Sequence, residues 1–131
     1  MIQNILNKLF NKGESDISHL PQNEKATFLL EVDGMKIGTL KSNAGIWVFH
    51  YEDEFIKNGL AYSRLIGFPD LNKTYRNEVL WPFFRTRIPG LKQPAIQEIL
   101  KKENIDQNNE AALLKRFGRT TISNPYKLIP I

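Results

Sequence analysis

Asp33-Gly34 divides two runs that read as strands. An Asp-Gly pair accepts the positive φ that both central residues of a type I′ turn require, which makes it the strongest short-range hairpin signal. Before it, Phe28, Leu30 and Val32 alternate with Thr27, Leu29 and Glu31; after it, Met35 to Leu40 reads as the returning strand. Ser42-Asn43-Ala44-Gly45 supplies a second turn, and Ile46-Trp47-Val48-Phe49-His50-Tyr51 a third strand. An antiparallel meander follows. Gly38, inside the second strand, predicts a bulge or the close approach of another backbone. Leu65 to Leu71, interrupted by Gly67 and Pro69, is expected as a short edge strand.

Helical periods flank this meander. Ile2, Ile5, Leu6, Leu9 and Phe10 share one helical face that Gly13 ends, and residues 13–25 are polar. The expected organisation is an amphipathic helix and polar arm over 1–25, then one domain over 26–131. In the second half, a helix opened by Thr74 or a neighbour runs through the aromatic segment and is kinked or restarted at Pro82. Gln93-Pro94 places proline at the first helical position, ahead of the stripe Ile96, Ile99, Leu100. Asp106 or Asn108 is expected to cap a third helix carrying Leu113, Leu114 and Phe117, with Gly118 at its end. The tail Tyr126 to Ile131 can return to the sheet. Strands first and helices later define an α+β fold: a small antiparallel meander sheet, open or curling toward a barrel, packed with about three helices.

Residues 79–90 concentrate the large rings. Trp81, Phe83 and Phe84 crowd around Pro82, and Arg85 and Arg87 lead into the turn signal Pro89-Gly90. So apolar a segment must be buried, in the chain's own core or against a partner, and rings of this kind are more often core. The turn beyond them is where a partner can be met. Arg85, Arg87, Ile88, Pro89, Gly90 and Lys92 are the expected contact residues, since guanidinium groups are favoured at interface hot spots and pair well with carboxylates.

Charge sharpens this expectation. The chain carries +4 overall, and residues 85–119 alone hold eight Lys and Arg against four Asp and Glu. That excess could meet an acidic protein or a phosphate backbone, or simply be a solvated helix face. Catalytic signatures are missing: there is no G-x-S-x-G nucleophile, no phosphate-binding loop, and no kinase magnesium or catalytic-loop pattern. His19 and His50 stand alone, Glu52-Asp53-Glu54 reads as a solvated turn, and there is no cysteine, so neither a metal nor a cofactor is expected. No apolar run approaches membrane-spanning length and no secretory leader is evident, which together point to the cytoplasm and away from the membrane.

Several of these strings occur together in one known order. Lys36-Ile37-Gly38-Thr39-Leu40, Gly45 and Trp47 to Tyr51 come first; Phe83-Phe84 follows, with Ile88-Pro89-Gly90 three residues on. Leu113-Leu114, Phe117-Gly118-Arg119 and Leu128-Ile129-Pro130 close the set. This series resembles the N-terminal subdomain of HipA-type serine/threonine kinases over residues 27–131. Where that family continues past its Gly-Arg pair with a Gly-Ala-Val-like run, this chain has Ile122-Ser123-Asn124-Pro125.

The resemblance implies a free-standing form of the subdomain, similar to the HipS component of three-part HipBST toxin–antitoxin systems. It implies a non-catalytic subunit that binds and regulates, by neutralisation, a HipA/HipT-like kinase core encoded separately. A helix-turn-helix DNA-binding protein in the same complex also comes with it. The alternatives are an accessory or activating subunit that completes a split kinase, and a basic nucleic-acid-binding domain. Direct nucleic-acid contact is the less favoured, because no docking motif appears and Phe and Tyr residues are not interleaved with the basic positions in a stacking pattern.

Overall fold

Alternation between buried and half-buried residues along Ala26–Val32 follows the period of a strand with one face on the core. The computed structural model describes residues 24–58 and 64–131, so the expected helix over 2–11 and most of the polar arm lie outside the described residues. The strand Ala26–Val32 is β1. Asp33 and Gly34, at φ of 49° and 81°, turn it into β2, Met35–Asn43. Ala44 and Gly45, at 53° and 78°, make a second such turn into β3, Ile46–Tyr51. The second turn is thus tighter than the Ser42–Gly45 expected, and β2 runs on through Asn43.

Among the described residues the sheet holds five strands and is antiparallel throughout. Tyr75–Asn77 (β4) pairs with β3 at one edge, and Lys127–Pro130 (β5) pairs with β1 at the other, so the tail does return to the sheet. The two edges do not meet, and the sheet is open, not a barrel. The edge strand forms at Tyr75–Asn77 in place of Leu65–Leu71. Leu65 and Phe68 are instead tied by their backbone to one side chain: Leu65 N donates to Tyr51 Oη at 3.0 Å, and Tyr51 Oη donates to Phe68 O at 2.5 Å.

Gly38 meets both readings given for it. Leu30 pairs with Gly38 but Glu31 with Lys36, which leaves Ile37 as the extra residue of a bulge. A Cβ on Gly38 would lie 2.5 Å from Phe49 Cζ and 2.8 Å from the His50 carbonyl oxygen. The ring of Phe49 therefore occupies the space that any side chain here would need.

Four helices are seen among the described residues. The acidic triplet opens one of them, α1 at Asp53–Asn58, where a solvated turn was expected; Asp53 and Glu54 suit the positive end of its dipole. Phe55 of α1 stacks on Tyr51, with centroids 5.3 Å apart. Helix α2, Pro82–Arg85, is a single turn with Pro82 at its start, and the residues ahead of it are β4 and loop, not helix. Proline lacks the N–H a preceding turn would need, so the helix begins here and does not pass through. Pro94–Lys102 is α3, started at Pro94 as expected. Glu110–Phe117 is α4, capped by Asn109, whose side chain accepts from Ala112 N at 3.1 Å. Asp106 takes a neighbouring part by accepting from Asn108 N. With three of these helices in the C-terminal half, the fold is α+β.

Candidate partner-binding surface

Phe84 is fully buried and anchors the aromatic segment in the core. Its ring centroid lies 5.5 Å from that of Phe49, 5.9 Å from Phe68 and 5.1 Å from Phe83, in tilted and edge-on arrangements. Such aromatic pairs add about 0.5–1.5 kcal/mol each beyond the area they bury. Trp81 leans edge-on against Phe68 at 5.2 Å and remains half-buried, as does Phe83. One face of the segment thus serves the core and the other reaches the surface.

The backbone then turns outward in steps. Arg87 N donates to Phe84 O at 3.1 Å and Ile88 N to Arg85 O at 2.9 Å, extending the turns past α2. Arg85 stays partly exposed, donating from Nη2 to Leu80 O at 3.1 Å, with Nε 3.8 Å from a carboxylate oxygen of the buried Glu110. Ile88 and Pro89 are half-buried; Gly90 and Lys92 are exposed.

Arg87 departs from the expectation of an exposed anchor, for it is only 4% exposed. Nη1 donates to Gly118 O at 2.9 Å and to Arg119 O at 3.3 Å; Nη2 donates to Tyr126 O at 2.8 Å and to Asn124 Oδ1 at 3.1 Å. Burial lowers its pKa to about 10, which leaves the guanidinium charged at neutral pH. A buried charge is costly unless its donors are matched; four oxygens meet Nη1 and Nη2 here, while the buried Nε has no hydrogen-bond partner among the described residues. Arg87 holds the turn from behind, and what meets the turn from outside meets its neighbours.

Two recesses lie on either side of this segment. Pro82, Phe83 and Thr86 line a mainly apolar groove of about 520 Å³ together with Leu65, Ile66, Trp81 and Tyr126. Arg85, Ile88 and Pro89 line a smaller one of about 270 Å³ with Leu91, Glu110 and Leu113. Arg85, Ile88 and Pro89 thus converge on one site, whereas Gly90 and Lys92 line neither groove and Arg87 is interior. Ile66, at 86% exposed, borders the larger groove, and the fully exposed Ile122 precedes Ser123 in its lining. Sequence reasoning passed over both isoleucines. The available signal was an apolar residue set in a turn, beside Gly67 in one case and within a polar run in the other.

Among the described residues no group of three or more His, Asp or Glu converges as a metal site, and no helix is long and apolar enough to cross a membrane. The structure is an open-sheet α+β domain with a ring-rich core and a grooved surface around α2. The profile of the HipA N-terminal domain family matches residues 30–123, and the chain belongs to that family. Membership brings a toxin–antitoxin context with it. No curated protein matches the chain.

Proposed function

We propose that this chain is a non-catalytic partner subunit that binds a HipA- or HipT-like serine/threonine kinase core and regulates it by neutralisation. The observation that carries this reading is the pair of recesses flanking α2 and the turn after it, on a domain of the HipA N-terminal family. A single-turn helix with apolar grooves on both sides offers pockets for a partner's side chains and a basic rim for its carboxylates. Arg85 and Lys92 supply the rim, Ile88 and Pro89 the apolar contact, and Gly90 an exposed backbone. A complex of ordinary size would bury ~800 Å² of this surface, and its footprint on the kinase would obstruct substrate or nucleotide access. A helix-turn-helix DNA-binding protein belongs to the same proposed assembly.

Co-expression of the chain with a HipA-type kinase core tests this, scoring growth and co-purification together. Restored growth with a stable complex supports neutralisation. A complex without restored growth shifts the reading to an accessory or activating subunit. If neither growth is restored nor a complex forms, the family fold stands without the partner role.

A further inference from the structure

Lysines from three separate elements line one cleft of about 320 Å³ remote in sequence from the turn at 85–92: Lys25 just ahead of β1, Lys41 on β2 and Lys115 on α4. All three are exposed, and none forms an ion pair among the described residues. Glu24, next to Lys25 in sequence, has its carboxylate hydrogen-bonded to Asn109 Nδ2 at 2.6 Å. Like charges gathered on one cleft repel unless an anion shares it. Thr27 and Asn43, which also line the cleft, add neutral groups of the kind that accompany lysine around phosphate oxygens, while Ser42 beneath them is buried and donates to Glu24 O.

We infer that this cleft holds the phosphate backbone of duplex nucleic acid, without reading its bases. Lysine is a compact point charge lacking the planar fork that arginine brings to base edges, so it contributes position and affinity more than sequence preference. No aromatic residue lines the cleft, so there is no platform for stacking unpaired bases. Its apolar lining is confined to Ala26 and Ile131, too little for the buried apolar centre of a protein interface. This inference uses none of the residues assigned above to the kinase partner and stands or falls separately.

The test is fluorescence anisotropy of a labelled mixed-sequence DNA duplex titrated with the full chain over a range of salt. Three phosphate contacts predict a slope of log K against log salt of about −2.7, a fall of about 40-fold between roughly 50 and 200 mM. The variant Lys25→Gln/Lys41→Gln/Lys115→Gln should lose most of that slope, while Lys57→Gln/Lys73→Gln/Lys101→Gln, with the same loss of charge elsewhere, should keep it. Circular dichroism on both variants confirms that the fold is retained. Absent duplex binding by the wild type, equal weakening in the two variants, or equally tight binding of polyglutamate would each overturn the assignment.

Discussion

Arg87 Nη2 donates to Asn124 Oδ1 at 3.1 Å across a separation of 37 residues, joining the turn after α2 to the segment that leads into β5. The same side chain reaches Gly118, Arg119 and Tyr126, so one guanidinium closes the fold's C-terminal segment onto its aromatic layer. Asn124 repeats the pattern locally by accepting from Tyr126 N at 3.1 Å.

Arg87→Met should therefore destabilise the domain by about 2–5 kcal/mol, because buried carbonyls lose their donors while the aliphatic stem is kept. Arg87→Lys should recover only part of this, having no fork to bridge two pairs of oxygens. Urea unfolding of both variants checks the order. A loss under about 1 kcal/mol for the methionine would show that water replaces the guanidinium.

Gly38→Ala brings a methyl group against Phe49, and overpacking of this kind costs about 1–3 kcal/mol. Combining it with Phe49→Leu should cost less than the two changes summed, since the shorter side chain vacates the contested space. Thermal melts of the single and double variants measure that coupling. Strict additivity would mean the strand shifts instead of the ring.

Asn109→Ala removes the only side-chain cap seen on α4 and should cost about 0.5–2 kcal/mol. Asp106→Ala, which leaves that cap intact, should cost less. If chemical denaturation ranks the two the other way, Asp106 is the residue that fixes the helix start.

Burial raises the Tyr51 hydroxyl above its ordinary pKa near 10, outweighing the opposing hydrogen bond from Leu65 N. The unfolded chain then loses this proton at a lower pH than the folded one. Above about pH 10 the folded state binds more protons, so stability falls as pH rises through that range. Tyr51→Phe should be less stable at neutral pH, because Leu65 N and Phe68 O lose their partner, yet show a flatter decline above pH 10. Denaturation midpoints against pH compare the slopes; parallel curves would acquit Tyr51.

Legibility of the fold followed how local its causes were. Both β-turns could be read because Asp33-Gly34 and the Gly45 that closes Ser42–Gly45 carry their own backbone preference, although Ala44, at φ of 53°, does not; Pro94 marks the start of α3 in the same way. The edge strand could not. Tyr75–Asn77 has too few residues to show a period, and its pairing is decided by the exposed edge of β3. Glu52-Asp53-Glu54 looked like a turn because acidic residues suit both a solvated loop and a helix's first turn; Phe55 stacking on Tyr51 selects the helix. Arg87 misled for a related reason. Its sequence neighbours are those of an exposed arginine, and the oxygens that bury it come from residues 118–126. The grooves depend on the same distant segments, so Arg85, Ile88 and Pro89 could be singled out from their own stretch, whereas Ile66 carried only the weak signal of an apolar residue beside Gly67 and Tyr126 none.

The central claim, docking through the surface around α2, is tested most directly by calorimetric titration of the purified chain into a purified HipA-type kinase core. Ile66 and Lys92 are exposed, so Ile66→Asp/Lys92→Glu should leave the melting temperature unchanged. Saturable binding is expected for the wild type, with at least about a tenfold loss in the double variant, or about 1.4 kcal/mol. Equal affinity of the two, or no binding by the wild type, would contradict it.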